Sequence, residues 1–129
     1  MALAIALDSN RYVDFRRNDP ESVHIVTTAE KIVLPFIVLG ELRSGFLGGT
    51  RLMSNERELS SFLHSPRVEV AFADEATTHL YADLQVRLYQ AGTPIPTNDI
   101  WIAALAIQHG LALFTRDKHF DLVPRLARV

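Results

Sequence analysis

The chain has 129 residues, 48% of them apolar and 22% charged, with a formal net charge of −2 and no cysteine. That composition excludes a disordered tail, a collagen-like fibre and a membrane bundle, and the missing cysteines exclude disulfides, thiolate metal sites and a cysteine nucleophile. A chain of this length buries roughly two thirds of its unfolded surface, so one domain over residues 1–129 is expected, and a strongly basic nucleic-acid surface is not.

Met1 to Leu7 opens the chain with apolar residues. The run is too short for a signal-peptide core, has no preceding positive charge and stops at Asp8. No later apolar run approaches the ~20 residues of a membrane span, so a cytoplasmic protein without membrane partners is expected. Residues 3–7 read as a buried strand, and Asp8-Ser9-Asn10 supplies helix-start chemistry for a short helix over 11–17. Asn18-Asp19-Pro20 breaks the chain before a helix over 21–29, and residues 32–34 form a second strand. Beyond Pro35, Ile37, Val38, Leu42 and Phe46 recur at helical intervals over 36–47, and Gly48-Gly49 ends that helix. A more polar helix over 54–63, a strand over 68–73 and a long helix over 74–90 follow. Leu80, Leu84 and Leu88 form a stripe on the long helix, suited either to its own sheet or to a partner. Pro96-Thr97-Asn98-Asp99 starts the next helix, and residues 100–107 are apolar without interruption, so that helix must be buried, Trp101 with it. Residues 111–114 make another short strand, ending in Thr115-Arg116-Asp117. Short, continuously apolar strands alternating with helices predict an α/β/α sandwich with a short central parallel sheet. Residues 124–129 leave a last edge strand undecided.

Acids stand at the ends of these buried elements. Asp8 follows the first strand directly and Asp117 follows the last by two residues, and in open α/β sheets the functional crevice lies beyond the carboxyl ends of the strands. Asp99 lies in the first turn of the most buried helix, where complementing the helix dipole is its plainer role. Glu41 lies three residues after Val38 and four after Ile37, on their side of the helix, where a carboxylate is costly without a positive partner. Grouped carboxylates raise one another's pKa, and a divalent cation removes that penalty. Oxygen ligands without cysteine suit Mg²⁺ or Mn²⁺, which support hydrolysis of phosphodiesters.

Leu7-Asp8-Ser9-Asn10, Gly40-Glu41-Leu42, Thr97-Asn98-Asp99 with Ile102-Ala103-Ala104, and the stretch from Leu113 to Phe120 resemble, in that order, the motifs of the PIN-domain family. More narrowly, they resemble the VapC toxins of VapBC toxin–antitoxin modules. The resemblance implies a metal-dependent endoribonuclease that leaves a 5′-phosphate and a 3′-hydroxyl, with Asp8, Glu41, Asp99 and Asp117 holding Mg²⁺ or Mn²⁺. It gives Asn10 and Thr115 the task of orienting those acids, and Ser9 keeps the hydroxyl of the family's usual threonine. It also implies a tRNA or rRNA substrate, a cognate VapB-type antitoxin and a homodimer. Asp121 is a further acid in the last motif, with turn capping as its other reading.

Arg11, Arg43, Arg116 and Lys118 flank the acids and are candidates for contacts to RNA phosphates, or for plain solvated surface. The five histidines show no paired ligand spacing, and His119 reads as a packing residue of its motif rather than a general base. A receiver-like module would need a phosphorylatable Asp ending a central strand, and no Asp falls between Glu21 and Asp74. A catalytically inactive binding module would have lost an acid, and none is lost. Setting aside the four proposed ligands leaves eleven acids against thirteen basic residues, so the charge of −2 conceals a balance of +2 outside the site.

Overall fold

A computed structural model describes residues 3–129; Met1 and Ala2, the first residues of the apolar opening run, lie outside the described residues. The apolar runs form β1 (Ala4–Leu7), β2 (Lys31–Pro35), β3 (Val68–Ala71) and β4 (Ala112–Phe114). All pair in parallel in the order β3-β2-β1-β4. The sheet is flanked by six helices: α1 (Ser9–Arg16), α2 (Pro20–Thr28), α3 (Phe36–Gly48), α4 (Leu52–Leu63), α5 (Glu75–Gln90) and α6 (Thr97–Gln108). A 3₁₀ helix, Lys118–Leu122, follows β4. This is the α/β/α arrangement that the strand pattern implies. No helix among the described residues is long and apolar enough to cross a membrane.

Local chemistry accounts for the boundaries. Helix α1 begins at Ser9, earlier than its apolar pattern suggests, because the Asp8 carboxylate caps it by accepting from the Ser9 amide at 2.8 Å. Asn18 takes a positive φ of 61° between α1 and α2, and Asp19 then caps α2 through the Ser22 amide at 3.0 Å. Strand β3 stops at Ala71, short of residue 73, because its partner β2 runs out there: Pro35 pairs with Ala71 and α3 starts at the next residue. Gly110 turns the chain from α6 into β4 with a φ of 64°.

The core lies on both faces of the sheet. Ile5, Ile32, Leu34 and Leu113 are fully buried, and α6 adds Ile102, Ala103, Ala104 and Leu105; contrary to expectation, Trp101 and Ile107 of the same apolar run are only partly buried. The leucine stripe of α5 packs inward: Leu84 and Leu88 are buried in the same core, with Leu80 against its edge. Trp101 stacks on Tyr81 between α5 and α6, ring centroids 4.0 Å apart. The tail makes no full strand. It closes the free edge of β4 by a single parallel bridge, Leu113 donating to the Ala127 carbonyl at 2.8 Å and accepting from Val129 at 3.1 Å.

Sheet order decides where the site forms. From β1 the chain moves to β2 and β3 on one side, then crosses back to place β4 on the other side of β1. The carboxyl ends of β1 and β4 therefore flank a topological switch point, the usual position of a crevice in such sheets.

Candidate metal centre

Asp8 leaves the end of β1 and is 4% exposed. Its Oδ2 accepts from the Thr115 hydroxyl at 2.7 Å and from the Asn10 amide at 3.3 Å, while Oδ1 accepts from the Ser9 amide. Asn10 works with both ends of its amide: Nδ2 also donates to Thr115 at 3.3 Å, and Oδ1 accepts from the Arg116 backbone at 3.1 Å. The loop after β4 is thereby tied to α1 across the switch point. Thr115 Oγ1 also accepts from the Asp117 amide at 3.0 Å, so one hydroxyl joins two acidic segments.

Asp99, 8% exposed, projects from the first turn of α6. Among the described residues no side chain caps that helix, whose N-cap is Pro96, so the carboxylate is not serving as its N-cap. His119 Nδ1 lies 3.0 Å from Asp99 Oδ2 and 3.2 Å from Asp117 Oδ1. Ligand atoms of Asp99, Asp117 and His119 all fall within 4.8 Å of one another, a spacing that one cation could bridge. Glu41 comes from α3, where its Oε1 accepts from the Ser9 hydroxyl at 3.3 Å, next to the amide that binds Asp8.

The electrostatics make these residues one cluster. Burial, reinforced by the charge of Asp117, pushes the Asp8 carboxyl above its ordinary range. Burial likewise raises Glu41, with Asp8 and Asp99 adding to it and hydrogen bonds from Ser9 and Asn98 opposing. Asp99 is raised by burial and by Asp117 and Asp8, against the hydrogen bond to His119. Among the described residues, no arginine or lysine pairs with any of the four acids. Two buried and two half-buried carboxylates that repel one another, without an arginine or lysine among the described residues to balance them, fit a hard divalent cation.

The basic residues near the acids have different fates. Arg11 is largely buried: it pairs with Asp14 at 3.4 Å and Glu21 at 3.4 Å and lies over the Phe114 ring, so its charge is committed inside the fold. Arg116 forms a two-bond fork with Asp14 at 2.6 and 3.1 Å while staying half exposed. Arg43 pairs with Glu56 of α4, and Lys118 is exposed without an ion pair among the described residues. Asp121 pairs with Arg128, away from the cluster.

His119 differs from its reading as a packing residue. Its side chain is 51% exposed and hydrogen-bonds Asp99 while its backbone amide donates to Asp117 at 2.9 Å, and the packing falls to its neighbour Phe120, which is fully buried. Asn98 and Asp14 were also missed, since neither stands out by spacing. A polar residue beside a helix start or in a polar helix acquires a role only when a distant acid or arginine is brought to it.

Residues 5–126 match the PIN domain family. Ribonuclease VapC4 of Mycobacterium tuberculosis is 38% identical to this chain over 88 residues, 68% of each sequence. Ribonuclease VapC2 of Rickettsia felis is 30% identical over 125 residues, 93% of this chain and 92% of its own. The structure of VapBC2 from Rickettsia felis bound to a DNA fragment from its promoter contains a chain that superposes with a TM-score of 0.85 at 26% identity, covering 98% of both chains. The order of motifs, the sheet and the clustered acids thus agree with these likenesses: the chain belongs to the PIN-domain family, within its VapC group.

Proposed function

We propose that this protein, acting as one domain over residues 1–129, is the endoribonuclease toxin of a VapBC-type toxin–antitoxin pair. It hydrolyses RNA phosphodiester bonds with Mg²⁺ or Mn²⁺ held by Asp8, Glu41, Asp99 and Asp117. The observation that carries this reading is the convergence of acids from four separate elements, three of them raised by burial and mutual repulsion, with no lysine or arginine among the described residues paired to them. Bound there, a divalent cation supplies the positive charge this donor set lacks, for activating water and stabilising a phosphoryl oxygen in the transition state.

The chain's own residues do the rest. Thr115 and Asn10 hold the Asp8 carboxylate in one orientation, Ser9 holds Glu41, and His119 holds Asp99 and Asp117 together. Exposed Lys118, next to Asp117, stands at the rim, placed to meet the phosphates of a tRNA or rRNA, while Arg116 is held by Asp14. The solved VapBC complexes among its structural relatives support a VapB-type antitoxin as partner. The exposed, stacked pair of Phe36 and Phe72 supports a homodimer. The interior strand β2 runs from Pro35 straight into α3 with no carboxylate at its end, and Asp74 beyond the edge strand β3 caps α5, which removes the support for a receiver-like module.

Purified protein is expected to cleave structured RNA with Mn²⁺ or Mg²⁺ and to stop on addition of EDTA. Asp99→Asn is expected to lower the rate by about a hundredfold or more while leaving the circular dichroism spectrum unchanged. Cleavage that continues at the original rate in Asp99→Asn would falsify the assignment.

A further inference from the structure

The segment Thr115-Arg116-Asp117 supplies two residues of the acid cluster, yet it belongs to no helix or strand. Backbone outside a ladder keeps one shape only where side chains hold it, because ordering each free residue costs conformational entropy. One face of α1 does the holding. Asn10 accepts from the Arg116 amide at 3.1 Å. Asp14, one helical turn further along the same face, receives the Arg116 guanidinium in a fork of 2.6 and 3.1 Å. Residue 116 is thus gripped at its backbone and at its side chain. On one side of it stands the threonine that bonds Asp8, and on the other the aspartate that accepts from the His119 amide.

Asp14 is itself built in. Its side chain is 16% exposed, and Arg11, which lies over the Phe114 ring at 4.5 Å, pairs with it at 3.4 Å. Arg11 is anchored in turn to Glu21 of α2 at 3.4 Å. Two parallel N–H···O bonds fix direction as well as distance, which one contact from a flexible chain does not. An ion pair to a half-exposed arginine adds little to global stability, so the fork acts where it is attached, on the loop.

We propose that Asp14 is a positioning residue of the metal centre: through the Arg116 fork it holds the segment after β4 against α1 and so fixes Thr115 and Asp117 relative to Asp8. The inference rests on the reading of the four acids as a cation site, and it assigns Arg116 to the loop rather than to RNA.

Asp14→Asn and Arg116→Ala break the fork from its two ends and leave all four acids in place. In metal-free protein, amide hydrogen exchange over residues 113–120 should quicken in both, with that of α5 unchanged. Mn²⁺ affinity, measured by calorimetry without RNA, should fall about tenfold in each, the low end of the effect of losing a group that orients a metal ligand. The double variant should bind no more weakly than either single one, since the same link is broken only once. A through-space effect of charge would move the two apart, with loss of Asp14 weakening Mn²⁺ binding and loss of Arg116 strengthening it. On RNA, kcat at limiting Mn²⁺ should fall and recover at saturating Mn²⁺, with KM for RNA unchanged.

A lower melting temperature with wild-type exchange and Mn²⁺ affinity would make the fork a plain stabilising pair and overturn the proposal. Opposite shifts in Mn²⁺ affinity overturn it as well. A raised KM in Arg116→Ala alone, with Mn²⁺ affinity as in wild type, gives the arginine to RNA and has the same consequence. Should Asp14→Asn fail to fold because Arg11 loses a partner, Arg116→Ala leaves the pairs of Arg11 intact and decides alone. Wild type that binds no Mn²⁺ defeats the cation site and this inference with it. Wild type that binds Mn²⁺ but cleaves no RNA defeats the ribonuclease reading only, and exchange and affinity still decide the role of Asp14.

Discussion

Asp8, Glu41 and Asp99 share one physical situation: each is a carboxylate taken out of water beside others of its kind, and each is held above its ordinary range. A group whose folded pKa lies above its unfolded value contributes stability that is complete below the unfolded pKa and is lost as pH rises through the folded one. The metal-free protein should therefore be weakened by these acids as pH climbs from about 4, the ordinary carboxylate value, towards neutrality. Asp19 and Asp74 act in the opposite direction, Asp19 lowered by its bonds from Ser22 and Asp74 first by the Gln108 amide and then by Thr77, bonds that are lost on acidification, so the informative measurement compares variants. In EDTA at pH 7, Asp99→Asn is expected to melt at a higher temperature than wild type, and the difference should shrink towards pH 4. A lower melting temperature at pH 7 would contradict the cluster's electrostatics. Thr115→Val removes the 2.7 Å bond to Asp8 and the acceptor for the Asp117 amide. It should weaken Mn²⁺ binding by roughly 10–100-fold, measured calorimetrically, as loss of a group that orients a metal ligand does elsewhere.

At the scale of elements, the site depends on where helices begin. Asp99 belongs to the cluster because α6 starts at Thr97, and Glu41 because α3 grows from the last residue of β2 without an intervening loop. Both helices are held by burial rather than by side-chain caps, since neither has a side-chain bond at its N-cap. Packing defects in α6 should therefore reach the site. Ile102, fully buried one turn beyond Asp99, is the direct probe. Ile102→Ala should cost about 2–5 kcal/mol in chemical denaturation. It should also lower RNA cleavage in the fraction that remains folded; full activity in that fraction would show that α6 positions Asp99 independently of its packing.

For the whole molecule, charge and topology act together. The net charge of −2 hides acids gathered at one edge of the sheet, and the remaining basic residues are mostly engaged: Arg11, Arg43, Arg87 and Arg116 all pair with acids. Few cations are left for phosphates, so RNA binding should respond weakly to salt. For contact with about three or four phosphates of a single strand, the plot of log affinity against log salt should have a slope of about −2 to −3. Fluorescence anisotropy over a salt series measures it, and a markedly steeper slope would mean a basic surface contributed by a partner or a second copy.

The amino-acid sequence by itself determined the alternation of strands and helices, because continuous apolar runs and capping residues are local signals. It also exposed the acids as anomalies: Glu41 on an apolar helix face and Asp99 at the head of a helix with no polar side are costly wherever the rest of the chain lies. Strand order was not legible, since β1 pairs with β2 and β4 through contacts separated by most of the chain, and any parallel order satisfies the same apolar pattern. Tertiary structure alone decided which neighbours the acids acquire. It brought Thr115 to Asp8, His119 to Asp99 and Asp14 to Arg116, and it turned Arg11 inward, because those pairings follow from β4 lying beside β1.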